Sequence, residues 1–211
     1  MLTSARNNQL LRSAFTLGKG DKLLQDNPKA IVKESTVIVH PSMRFSDHKH
    51  RIFHGFRTGL TMDLLQKVCS NDISKIAINQ AQYNCMPNAD GGIVDDLIVY
   101  RIKEEQYLLV VNASNIEKDW NWIEQHNVNG AEMRNISDDY SLLAVQGPKA
   151  TEALQALTDV DLSAIKFYHF EVAPMAGIDF VIISATGYTG SGGFEIYCKN
   201  SEVEQLWTKI F

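Results

Sequence analysis

From Thr61 onward, apolar and polar positions follow clean periods that predict alternating helices and strands. Leu64, Leu65 and Val68 form one helical stripe behind Thr61 as N-cap, and Ser70-Asn71-Asp72 ends that helix. Strands are predicted at 81–86, 93–102 and 107–112, with a turn at Ala89-Asp90-Gly91-Gly92 and a charged connection at Lys103-Glu104-Glu105. Ser114 and Glu117 have capping-box spacing, and Ile116, Trp120 and Ile123 follow at helical intervals, which predicts a helix over 115–126. Trp120 and Trp122 cannot both lie on that stripe. Further strands are expected at 131–136 and 140–146, then a helix with Pro148 at N1, strands at 168–174, 178–185 and 194–198, and a last helix behind a second capping box at Ser201 and Glu204. Helices interleaved with hairpins make an α+β fold: antiparallel sheets with ferredoxin-like helix-strand-strand elements, not a doubly wound sheet. No internal repeat is evident.

The strand IVDDLIVYRI places two aspartates in an apolar run. Alternation puts Ile93, Asp95, Leu97, Val99 and Arg101 on one face and Val94, Asp96, Ile98, Tyr100 and Ile102 on the other. Asp95, on the arginine's face, is expected to be partly solvated or ion-paired. Asp96 has only apolar neighbours and a tyrosine, and a buried unpaired carboxylate costs several kcal/mol, so it needs a hydrogen-bond partner, a ligand or water. The pattern alone leaves two readings open, a structural carboxylate capping backbone amides and a site residue.

Composition narrows the class. The chain has 211 residues, 45% hydrophobic and 21% charged, enough for one or two domains with a proper core. No apolar run approaches the roughly 18 residues that cross a bilayer, and the N-terminus lacks a signal-peptide pattern, so a cytoplasmic setting without membrane association is expected. Cys69, Cys85 and Cys198 are widely spaced and odd in number, which gives neither a zinc motif nor a disulfide framework. Charge is uneven: residues 1–60 hold 10 Lys and Arg against 4 Asp and Glu, and the rest holds 10 against 21. That basic segment lacks aromatic interleaving, so it reads as solvated surface and not as a nucleic-acid site. Its TVIVH stretch reads as a short strand. His40, His48, His50 and His54 crowd together there, yet no Cys or carboxylate stands at ligand spacing, and no metal is expected.

The loop TGYTGSGG, 186–193, lacks the Lys-Ser/Thr ending of a P-loop and the spacing of a dinucleotide fingerprint, and a strand follows it. Its glycines suit a tight turn and close backbone approach. In the following strand Glu195 and Tyr197 share a face, which sets Glu195 beside the loop and Tyr188, a setting for planar hydrogen-bonding ligands. An exposed strand glutamate is the alternative.

SNDISKI, NQAQYNCMPNADGGIVDDLIVYRI, YLLVVNASNIEKDW, LLAVQGPKA and ATGYTGSGGFEIY occur in this order across about 150 residues. Residues 62–211 thereby resemble the aminomethyltransferase, or T-protein, family of the glycine cleavage system. The resemblance implies a partial folate-binding, cloverleaf architecture lacking the C-terminal domain. It also implies tetrahydrofolate as one-carbon acceptor and a lipoylated H-protein as partner, with no metal. The implied reaction moves the methylene of a lipoyl-bound aminomethyl group to folate and releases ammonia. In that reading Asp96 is catalytic beside the accepting nitrogen, and Glu195 binds the pterin's amino-pyrimidine edge. Tyr100, Tyr83, Asn112 and Tyr188 line the cavity.

The family's aromatic-Asp-Val-Ser-His and Gly-Trp or Gly-Tyr segments are missing upstream of residue 62. Residues 1–60 are therefore expected to be a frame-shifted or misjoined stretch, followed by a folate-binding subdomain at 61–137 and a truncated second subdomain at 138–211. Reading the other two DNA frames tests this. The alternative function is a non-transferring folate protein of the same superfamily acting in iron–sulfur maintenance, whose Lys-Gly-Cys-Tyr-type motif is replaced here by GYTG. A folate module of an amine dehydrogenase would need a flavin domain that residues 1–60 are too short to hold.

Overall fold

The computed structural model describes residues 36–38, 52–54 and 60–211. The chain divides into two compact units, one formed by Lys49–Tyr140 and the other joining Ser141–Phe211 to the strand Thr36–Ile38. Strands β1 (Thr36–Ile38) and β2 (Ile52–His54) precede helix α1 (Leu60–Val68), the hairpin strands β3 (Gln80–Pro87) and β4 (Ile93–Lys103), strand β5 (Gln106–Val111) and helix α2 (Ile116–His126). Then come β6 (Tyr140–Gln146), α3 (Ala150–Gln155), β7 (Phe170–Met175), β8 (Ile178–Ser184), β9 (Gly193–Lys199) and α4 (Val203–Ile210). This is the mixed helix and antiparallel-sheet class that the periodicity predicts.

In the first unit the sheet order is β2-β5-β4-β3, with antiparallel pairing throughout. Cys85 stands opposite Asp96 and Met86 opposite Asp95. The β3–β4 turn is held by Asn88, whose Oδ1 accepts from the N–H of Asp90 at 3.1 Å and of Gly92 at 2.8 Å. Asn88 supplies the side-chain closure, and Gly91 takes the left-handed φ of 80°. Leu64, Leu65 and Val68 of α1 and Ile116 and Ile123 of α2 bury against Met86, Leu97 and Val99 of the sheet. Burying such side chains contributes about 1.5–3 kcal/mol each.

In the second unit the order is β1-β6-β9-β8-β7, and Leu143, Val145, Leu154, Leu162, Val181, Ile183, Phe194, Ile196 and Leu206 form its core. The TVIVH strand is thus realised as β1, paired antiparallel with β6. His40, His48 and His50 lie outside the described residues, and among the described residues no group of ligands could hold a metal.

The two units repeat one element order, helix, 3-10 turn, three strands, helix, contrary to the expectation of no repeat. Asp72 caps Ile73–Lys75 through Ser74, and Asp161 caps Leu162–Ala164 through Ser163. Gln66 Oε1 accepts from the Ile73 N–H and Gln155 Oε1 from the Leu162 N–H, each at 3.0 Å. Asn79 and Tyr168, each seven residues after the capping aspartate, take φ of 65° and 60°. Met86, next to last in β3, and Met175, last in β7, lie inside the two cores. Gln66 and Gln155, Asp72 and Asp161, Ser74 and Ser163, and Met86 and Met175 are identical pairs at one constant offset, so the duplication is written in the sequence, but sparsely, among side chains that have mostly diverged.

Several local expectations fail for identifiable reasons. Thr61 lies inside α1, not at its cap, and is buried. Residues 131–136 form no strand: Asn127 clasps the N–H and C=O of Ala131, both at 2.7 Å, and Asn135 Oδ1 accepts from the Ser137 N–H and hydroxyl. Such side-chain bonds compete with a sheet ladder. Pro148 sits in the turn before α3, whose N-cap is Lys149. Neither capping box forms. Asn115 precedes α2 and turns its amide to Asp95, while Glu202 accepts from the Lys199 N–H at 3.3 Å and itself precedes α4.

Candidate functional site

The alternation that separates the two aspartates is realised, but burial is the reverse of that expected. Asp95 faces the core with Leu97 and Val99 and is 9% exposed, whereas Asp96 is only half-buried on the opposite face. Arg101 does not pair with Asp95. Its guanidinium donates to the carbonyls of Ile76 at 2.8 Å and Glu104 at 3.0 Å and lies over the Tyr107 ring. Asp95 is instead held by amides: Oδ2 accepts from Asn115 Nδ2 at 2.8 Å, and Oδ1 from Asn112 Nδ2 at 3.1 Å and the Asp96 N–H at 3.0 Å.

Asp96 has one neutral donor on each oxygen. Asn112 Nδ2 donates to Oδ1 and the Tyr83 hydroxyl to Oδ2, both at 2.8 Å. Tyr83 reaches it from β3, across the Cys85–Asp96 pair, and Asn112 from the first residue after β5. The hydrogen bond to Asp96 pushes the Tyr83 phenol up to about 12, so it remains a donor at neutral pH. Asp96 forms no ion pair among the described residues. Its charge is oriented by dipoles and left uncancelled, on the face of β4 that also carries Ile98 and the fully enclosed Tyr100. Of the residues singled out from sequence, Asp96, Tyr83 and Asn112 meet directly. Tyr100 lies four positions along the same strand face.

In the second unit Glu195 stands opposite Ser184 on β9. The Thr186 hydroxyl donates to its Oε2 and lies 3.0 Å from the Ser184 hydroxyl. Burial raises the Glu195 carboxyl above the usual carboxylate range, against the pull of hydrogen bonds from Thr186 and Tyr197. Tyr168, half-buried and left-handed, feels both burial and the Glu195 charge, and its phenol is raised in turn. Beside them Gln146 is buried, its Oε1 accepting from Thr189 at 3.1 Å and its Nε2 without an acceptor among the described residues. A Cβ on Gly193 would come within 2.4 Å of the Val145 carbonyl, so the glycine loop lies tight on β6, as its composition predicts. Tyr188 is 83% exposed at the loop's tip.

Sequence reasoning missed Asp95 as a network centre, and it missed Asn115, Asp119, Thr186, Tyr168 and Gln146. Asp119 carried a signal: three residues after Ile116 and four before Ile123, it occupies the apolar stripe of α2, where a carboxylate is out of place.

Comparison with known proteins adds an independent line. The GCVT N-terminal domain family matches residues 59–211. An aminomethyltransferase of Flavobacterium psychrophilum is 62% identical over 148 residues, covering 70% of this chain and 41% of that protein. One from Bacteroides fragilis is 56% identical over 150 residues, covering 71% of the chain and 42% of the relative. The crystal structure of glycine cleavage system aminomethyltransferase T from Bartonella henselae superposes with a TM-score of 0.66 at 27% identity, over 78% of this chain and 44% of the other. The chain therefore spans about two fifths of the length of the curated relatives it matches.

Proposed function

Because the chain belongs to the GCVT N-terminal domain family, we propose that it is the folate-binding part of a tetrahydrofolate-dependent aminomethyltransferase of the glycine cleavage system, working with a lipoylated H-protein. The observation that carries this reading is the Asp96 carboxylate, half-open and fixed on both oxygens by neutral donors, with no ion pair among the described residues. Bound tetrahydrofolate supplies the nitrogen that accepts the one-carbon unit as ammonia leaves. Asp96 contributes a preoriented negative charge beside the cation that develops during transfer, an electrostatic role that needs no proton abstraction. Tyr83 and Asn112 hold that charge in place and keep its direction.

The Glu195 cluster fits a pterin by its donor and acceptor chemistry. A desolvated carboxylate presents two acceptor oxygens to the paired N–H groups of an amino-pyrimidine. Thr186 fixes one oxygen, Tyr197 hydrogen-bonds the carboxyl, and Tyr168 stands near enough to feel its charge. The Nε2 of Gln146, without an acceptor among the described residues, is a further donor beside this cluster. Tyr188 and Tyr100 complete the proposed set. The domain limits read from sequence are kept as part of this proposal, 61–137 as the folate-binding subdomain and 138–211 as a second α+β subdomain.

Calorimetric titration of the chain with tetrahydrofolate tests the reading. Saturable binding is expected. Asp96→Ala should keep the fold and lose aminomethyl transfer from loaded H-protein by about 100-fold to 1,000-fold. Absence of binding, or full transfer by Asp96→Ala, would remove the proposal.

A further inference from the structure

Behind Asp96 lies a group that the proposed chemistry does not use. Asp119, on α2, has no solvent exposure, and neither of its oxygens receives an N–H or a hydroxyl from the described residues. Its carboxyl is in hydrogen-bonding contact with that of Asp95. Two carboxyls in contact, with no cation paired to either among the described residues, disfavour double ionisation, which favours one shared proton.

The donors decide which group holds it. Asp95 accepts from Asn115, Asn112 and the Asp96 N–H, all of which favour its anion; Asp119 has no such donors. Burial pushes the Asp119 carboxyl up to about 8, reinforced by Asp95 and by the Asp96 charge, with Lys118 opposing. Lys118 commits its ammonium to the Val94 carbonyl at 2.6 Å. Asp95, although burial raises it, is carried below the usual range by its bonds to Asp119, Asn115, the Asp96 N–H and Asn112.

We propose that Asp119 is a protonated hydrogen-bond donor that holds Asp95 in place, and that Asp95 is a positioning residue, aiming Asp96 through the Asn112 amide and the Asp96 N–H. The chain of contacts runs Asp119, Asp95, Asn112, Asp96, and Asn112 Nδ2 is the shared donor, 3.1 Å from Asp95 and 2.8 Å from Asp96. Asp119 touches no reacting group. The inference rests on the reading of Asp96 as the catalytic carboxylate.

Carbon-13 carboxyl titration of the wild-type chain reads the proton directly and needs no variant: Asp119 should titrate at about 8, and an Asp119 ionised at neutral pH would overturn the proposal. Asp119→Asn offers an N–H where the acid offers O–H. A group whose folded pKa is raised stabilises most below its unfolded pKa and loses that contribution as pH rises through the folded one. Wild type should therefore lose stability relative to Asp119→Asn between pH 4 and about 8, and a pH-independent difference counts against the idea. Asp95→Asn cannot accept from all three donors. It should shift the Asn112 side-chain amide resonances and cut aminomethyl transfer about 100-fold, whereas Asp119→Asn leaves both near wild type. Unshifted Asn112 signals in a folded Asp95→Asn would refute the positioning role. If Asp96→Ala transfers normally, the Asp96 reading fails and the positioning role falls with it, while the carboxyl titration still stands or falls by itself.

Discussion

Replacing Glu195 by alanine removes two acceptor oxygens from a desolvated position, and hydrogen bonds to charged groups contribute about 1.5–3 kcal/mol each. Tetrahydrofolate affinity is therefore expected to fall by at least tenfold in Glu195→Ala, and an unchanged dissociation constant would exclude the residue from the site. Tyr83→Phe takes one donor from Asp96 and leaves Asn112, so its transfer rate should fall less than that of Asp96→Ala, in the same assay. At this scale the residue types were legible before the structure, because carboxylates in an apolar strand and beside a glycine loop are anomalies of pattern. Their partners were not. Asp95 and Asp119 lie 24 positions apart in sequence, and nothing local records that they share a proton.

Among the elements, the β6–β9 corner is the most constrained. Gly193 combines a φ of 129° with a prospective Cβ clash against backbone, so Gly193→Ala should cost roughly 2–4 kcal/mol in urea unfolding. Gly190, in the same loop, also has positive φ but open space around it, and Gly190→Ala should cost only about 1–2 kcal/mol. Equal losses would mean that the close approach does not matter. The strands and helices with clear periods were readable from sequence to within a few residues. Residues 131–136 and the capping boxes were not, because asparagine side chains, the Asp95 carboxylate of β4 and, before α4, Glu202 take the backbone and amide groups concerned.

At the level of the whole molecule, each unit has its own hydrophobic core, and truncation in either should be felt first in its own sheet. Ile123→Ala is expected to cost about 2–5 kcal/mol and to lower hydrogen-exchange protection most in β3, β4 and β5. Leu154→Ala should do the same for β7, β8 and β9. Uniform loss of protection across both sheets in each variant would contradict two separate cores. The sequence by itself determined that the chain is α+β and that Asp95 and Asp96 face opposite ways, and its ordered stretches already pointed to the family. Periodicity is relative: it divides residues between two faces without saying which face meets the helices. Tertiary packing decided that α1 and α2 cover the Asp95 face, and so left Asp96 half-open. The same packing stripped water from Asp119, which is why its proton stays.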